Sequence, residues 1–141
     1  MLFKDVIGQV GTKNLLQRIA SGERIPHAML FVGPEGCGKL ALALAFVQYL
    51  FCDNKSEGTA CGTCASCIKS SKFIHPDIHF SFPTVGTNVK SESYLEEWRK
   101  ILAENPYINT HQWLQLLNAE NKQGNINKEE CLSIVRKLSL S

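Results

Sequence analysis

Between residues 12 and 20, Leu15, Leu16 and Ile19 recur at helical spacing, with Thr12 as the predicted N-cap and Gly22 as the stop. Ile25-Pro26 breaks that helix, and His27 to Val32 is a short apolar run closed by Gly33. A run of that length between Pro and Gly predicts a buried parallel strand, into which His27 enters as a packing residue. From Gly38 to Phe51 nearly every position is apolar, with Gln48 interrupting the run. That pattern predicts a helix covered on more than one face. Strand, glycine-rich turn and buried helix together read as the first half of an α/β unit.

Residues 52–72 change character. Cys, Ser, Gly, Thr, Asn and Lys dominate and no hydrophobic period is visible, so this stretch cannot build its own core. Alternation from Asp77 to Phe82 predicts a second strand, closed by Pro83, and residues 84–92 read as a polar loop. The remainder reads as helical. Ser93 with Glu96 predicts a capping box ahead of a stripe of Leu95, Trp98, Ile101 and Leu102, ended by Asn105-Pro106. Trp113, Leu116 and Leu117 mark a short second helix stopped near Gly124. Asn127 with Glu130 caps a third, with Cys131, Ile134, Val135 and Leu138 as its buried face. The two tryptophans fall on these stripes and read as core residues.

The 141 residues fit one domain, and 44% apolar with 20% charged residues excludes a mostly disordered chain. A formal charge of +2 is too balanced to point to nucleic acid or a membrane surface, so Lys69 and Lys72 read as solvated surface. No apolar run reaches the roughly 18 residues of a membrane span, and the first residues carry no secretory pattern. A cytoplasmic protein with reduced thiols is the expectation. Its six cysteines then argue for metal or packing rather than disulfides.

Gly33-Pro34-Glu35-Gly36-Cys37-Gly38-Lys39 matches the first seven positions of the phosphate-binding pattern G-x-x-x-x-G-K, between a predicted strand and a predicted helix. Glycines let backbone N–H groups turn toward phosphate oxygens, the helix presents its positive end, and Lys39 would reach the β- and γ-phosphates. The eighth position calls for Ser or Thr as a magnesium ligand. Leu40 stands there and has no side-chain oxygen. Weak or absent ATP or ADP binding, no magnesium site and no hydrolysis follow as expectations. Cys61-x-x-Cys64-x-x-Cys67, with Cys52 nine positions earlier, supplies four thiolates for tetrahedral zinc, and His75 is an alternative fourth ligand. Zinc can replace a hydrophobic core in such a stretch, and a closed Cys₄ shell leaves no open position for catalysis. No Ser-His-Asp or Cys-His constellation is visible.

These features occur in an order that resembles one family. Phe3-Lys4-Asp5-Val6-Ile7-Gly8-Gln9, Ile25-Pro26-His27-Ala28, the phosphate loop, Cys52, the Cys61 to Cys67 triplet and His75-Pro76-Asp77 together are similar to the N-terminal AAA+ module of bacterial DNA polymerase III clamp-loader subunits. The likeness is continuous from residue 3 to about residue 80 and looser afterwards. Within the family Leu40 points to the delta-prime branch, since gamma/tau subunits keep Thr after the lysine. The resemblance implies a parallel P-loop NTPase (AAA+) sheet flanked by helices, with an inserted Cys₄ zinc module. It divides the chain into residues 1–51 (first helix, strand and P-loop helix), 52–72 (zinc insertion) and 73–141 (second strand and helices). Gly33, Gly36, Cys37, Gly38, Lys39 and Leu40 would mark a relict phosphate site, with Val6 and Ile7 at the adenine position.

The implied role is a non-hydrolysing scaffold in the polymerase holoenzyme. It would work with gamma/tau and delta subunits to place the sliding clamp on primed DNA. An acidic Walker B strand, the Ser-Arg-Cys motif, the lid and the collar domain do not appear. The family's 5-1-4-3-2 sheet order leaves the two strands present here without each other as neighbours. A truncated chain with a tendency to self-associate is therefore expected. Two other readings compete: an active gamma/tau-type ATPase, and a zinc-dependent nucleic-acid-binding module, which the low net charge disfavours.

Overall fold

A computed structural model describes residues 1–22, 24–56 and 58–139. The chain divides into two compact units, Met1–Ile78 and His79–Ser141. In the first, a 3₁₀ turn over Phe3–Asp5 leads to α1 (Val10–Ser21), α2 (Lys39–Leu50) and α3 (Ala65–Ser71). In the second, a 3₁₀ turn over Ser91–Tyr94 runs into α4 (Leu95–Glu104), followed by α5 (Thr110–Leu116) and α6 (Lys128–Ser139). Among the described residues no helix is long and apolar enough to cross a membrane.

The apolar sequence of α2 makes it the centre of the first unit. It packs against α1, α3 and the first 3₁₀ turn. Ala41, Leu42, Ala45, Phe46 and Tyr49 are buried, and the Phe3 ring meets Tyr49 at 5.5 Å. Each large side chain so buried contributes roughly 1.5–3 kcal/mol. Helix α1 starts two residues earlier than its pattern predicts. Its N-cap is Gln9, held in the left-handed region at φ 56°, and Thr12 instead donates from Oγ1 to Gln9 Oε1 at 3.2 Å. Gly22 ends the helix as expected.

The parallel sheet is not present. Among the described residues no strand forms, and the only β pairings are two isolated bridges, Ser56–Thr59 and Thr84–Asn125. The physical reason lies in pairing. A strand needs a neighbour for its N–H and C=O groups, and among the described residues neither predicted strand pairs with one. Residues 27–32 accordingly form no regular element and are not buried, with Leu30 87% and Val32 82% exposed, and His27 also lies in solvent.

The segment predicted as a second strand finds other partners. Phe82 is buried, and its N–H donates to Ser91 Oγ at 3.0 Å while Ser91 Oγ donates to the Phe82 carbonyl at 3.2 Å. One hydroxyl thus takes the place of a ladder partner. Thr84 and Asn125 exchange both backbone hydrogen bonds, and Trp113 Nε1 donates to the Pro83 carbonyl at 2.7 Å. Phe82 stacks on Trp98 at 4.3 Å and meets the edge of Trp113 at 5.0 Å, so both tryptophans are core residues.

Three further expectations in this unit are corrected. The Ser93–Glu96 capping box does not form, because the 3₁₀ turn runs directly into α4 with Tyr94 at its N-cap. Helix α5 ends at Leu116, well before Gly124, and buries Leu114 rather than Leu116. Gly124 instead fits a close approach, since a Cβ there would lie 3.0 Å from both Leu114 and Pro83. Asn127 does cap α6, its Oδ1 accepting the Glu130 N–H at 2.9 Å. The predicted apolar face of α6 is not buried: Cys131, Val135 and Leu138 are exposed. The helix docks through its first turn, where buried Glu130 accepts the Ser91 N–H at 3.0 Å.

The Ser91 clamp makes a direct prediction. Ser91→Ala leaves a buried N–H and C=O of Phe82 without that partner, which costs about 1–3 kcal/mol. Trp98 and Trp113 are the chain's two tryptophans and both sit in this unit. A urea titration followed by tryptophan fluorescence should show the midpoint falling with an unchanged slope.

Candidate metal centre and phosphate loop

Segment 52–72 is organised around sulfur. Cys52 follows the C-terminal end of α2, with its N–H bonded to the Tyr49 carbonyl. Cys61 and Cys64 stand before α3, Cys64 being its N-cap, and Cys67 lies in its first turn. The four Sγ atoms all lie within 4.8 Å of one another, with Cys52–Cys61 at 3.6 Å and Cys61–Cys67 at 4.0 Å. Tetrahedral zinc at a Zn–S distance of about 2.3 Å places sulfurs about 3.8 Å apart, so the group has the dimensions of such a site. His75 is not in it. Its ring packs against Phe51 at 4.5 Å, and its Nδ1 accepts the Asp77 N–H.

Backbone amides are aimed at the sulfurs. Cys61 N–H donates to Cys52 Sγ at 3.2 Å, Cys64 N–H to Cys61 Sγ at 3.3 Å, and Cys67 N–H to Cys64 Sγ at 3.4 Å. The N–H donors of Thr63 and Cys64 pull the Cys61 thiol down to about 6. Burial pushes the Cys67 thiol in the opposite direction, up to about 12. A bound dication would hold both as thiolates, because coordination deprotonates a thiol outright. The loop is tied to its surroundings as well. Gln17 on α1 donates from Nε2 to the Gly58 carbonyl at 2.6 Å.

The phosphate loop is shaped by two left-handed glycines, Gly36 at φ 74° and Gly38 at φ 83°. Gly38 is the N-cap of α2 and no side chain caps that end, so the first amides of the helix face the loop. Lys39 does not extend outward. Its Nζ donates to the carbonyls of Gly33 at 2.7 Å and Pro34 at 2.6 Å. Gln9 joins the loop to α1, donating from Nε2 to the Cys37 carbonyl at 3.0 Å.

An open cleft of about 230 Å³ lies beside the loop, lined by α1, residues 29–32, Cys37, Lys39 and Leu42. Pockets that seat drug-sized ligands run to roughly 300–1,000 Å³, so this one is small. Gly33, Gly36, Cys37 and Gly38 lie in the loop, and Lys39 and Leu40 open α2. Val6 and Ile7 separate from them: Val6 is buried, Ile7 is 79% exposed, and neither lines the cleft. Gln9, Gln17 and Gln48 went unassigned in the sequence. Of these, Gln48 gave a signal, as the polar interruption of an apolar helix.

Comparison with known proteins accounts for this combination. A family profile described as DNA polymerase III, delta subunit, matches residues 8–137. The delta' subunit of Bacillus subtilis DNA polymerase III is 34% identical over 115 residues, covering 76% of this chain and 34% of that protein. The gamma/tau subunit of Mycobacterium tuberculosis is 30% identical over 99 residues, 70% of this chain and 16% of its own length. The tau subunit of Escherichia coli is 36% identical over 74 residues, 51% of this chain and 12% of its own length. The chain thus spans about a third or less of each of these relatives. No solved structure gives a significant match. The match across nearly the whole chain places it in the DNA polymerase III delta-subunit family of clamp-loader proteins.

Proposed function

We propose that this chain serves as a delta-prime-type member of the clamp loader, a scaffold that does not hydrolyse ATP. The observation that carries this reading is Leu40, which follows Lys39 in the first turn of α2 and offers no oxygen to magnesium. The turned-in Lys39, bonded to Gly33 and Pro34, and the small cleft beside it support a relict phosphate site. Hydrolysis then belongs to neighbouring gamma/tau subunits. The partners are gamma/tau and delta subunits, and through them the sliding clamp and primed DNA in the cytoplasm. The exposed apolar segment 27–32 is the basis for self-association of the chain as it stands.

The test is titration of fluorescent ADP and ATP with and without Mg²⁺. No binding, or weak binding indifferent to Mg²⁺, is expected. Tight Mg²⁺-dependent binding would instead favour an active gamma/tau-type ATPase; the mycobacterial and Escherichia coli relatives are named gamma/tau and tau subunits.

In this reading Cys52, Cys61, Cys64 and Cys67 hold one structural zinc. The metal supplies cross-linking of a coreless loop rather than catalysis. The expected zinc content is one per chain. Cys→Ser at any of the four should lower zinc content measured after dialysis, whereas Cys37→Ser, Cys131→Ser and His75→Ala should leave it at one.

A further inference from the structure

Helix α6 turns a polar side toward its own unit and an apolar side away from it. Cys131, Leu132, Val135 and Leu138 recur at helical spacing and form one stripe. The whole stripe faces solvent: Leu132 is 43%, Val135 63% and Leu138 70% exposed, and Cys131 is exposed as well. Lys128, also exposed, closes its N-terminal end. The opposite side is held by polar anchors. Buried Glu130 accepts the Ser91 N–H at 3.0 Å, and Lys137 Nζ meets Glu92 Oε1 at 2.6 Å. These contacts lie about two turns apart and fix the rotation of the helix about its axis. The stripe cannot roll inward without breaking both.

The charges beside the stripe select what fits it. Glu129 and Arg136 are both exposed and stand about two turns apart along one edge. That edge is acidic near the start of the helix and basic near its end. A parallel copy in register would set like charges side by side. An antiparallel copy brings the same edges together with the ends reversed, so each acid meets the other copy's base, twice by symmetry.

We propose that α6 is a docking surface for a second copy of this chain, the two helices packing antiparallel with Glu129 of each copy beside Arg136 of the other. The contact is isologous and closes at two copies. It is separate from segment 27–32, which lies in the other compact unit. So short a seam buries less than the roughly 1,200–2,000 Å² of stable complexes, so the dimer is weak, with a Kd on the order of 100 µM.

Sedimentation equilibrium of the full chain under reducing conditions tests this, in a Leu30→Asp, Val32→Asp background that removes the exposed patch of the first unit. A monomer–dimer equilibrium is expected. Val135→Asp should abolish it while leaving the urea midpoint unchanged, since Val135 is exposed. Glu129→Arg or Arg136→Glu alone should weaken the dimer about 5–30-fold, because each sets two like-charge pairs across the seam. The two changes together should restore affinity to within about threefold of the parent.

A chain that stays monomeric up to about 1 mM overturns the proposal and leaves the stripe to a different protein. A dimer that survives Val135→Asp lies on another face and overturns it as well. Weakening in both single charge variants without recovery in the double contradicts the antiparallel pairing.

Discussion

The close approach of four sulfurs is the constraint from which the first unit follows. Segment 52–72 has too few apolar residues to fold by burial, yet its four cysteine sulfurs lie within 4.8 Å of one another. Backbone amides converge on Cys52, Cys61 and Cys64, and Cys67 is buried. Four thiols at these distances have little reason to gather without a cation, since two of them, Cys52 and Cys67, are also buried. A dication would resolve this by making every sulfur a ligand. The Gln17–Gly58 hydrogen bond then connects the ordered loop back to α1.

The same unit shows what a phosphate loop retains when one chemical part is replaced. The turn is intact: Gly36 and Gly38 supply the left-handed conformations, and the uncapped start of α2 faces the loop. The hard-cation ligand is missing at Leu40, and Lys39 satisfies its ammonium on the carbonyls of its own loop. Glycine positions define the turn, whereas a single hydroxyl at the next helical residue decides whether magnesium has a place.

Local signals in the sequence were read well where local physics decides. Gly22, Asn105 and Asn127 end or begin helices as their chemistry requires, and the cysteine spacing foretold the sulfur cluster. Reading failed where a partner decides. The apolar run at 27–32 has strand character but no neighbour among the described residues, so it lies exposed. At Phe82 alternation suggested a strand, but none forms, and a serine hydroxyl nine residues on takes up the backbone bonds instead. The apolar stripe of α6 suggested burial, while Glu130 is the residue that docks. No periodicity reveals a buried carboxylate chosen for one distant N–H. The fourth ligand was open between Cys52 and His75 on sequence alone, and only the three-dimensional course of the chain sets His75 against Phe51 instead.

The central claim is that a metal ion, not a hydrophobic core, orders residues 52–72. Amide hydrogen exchange measured before and after removal of zinc tests it most directly. The account predicts slow exchange at Cys61, Cys64 and Cys67, whose N–H groups point at sulfur, and a collapse of that protection across the segment on chelation, while buried amides of α2 exchange more slowly than the segment. Protection at those three residues that is unchanged by removal of the metal would contradict it.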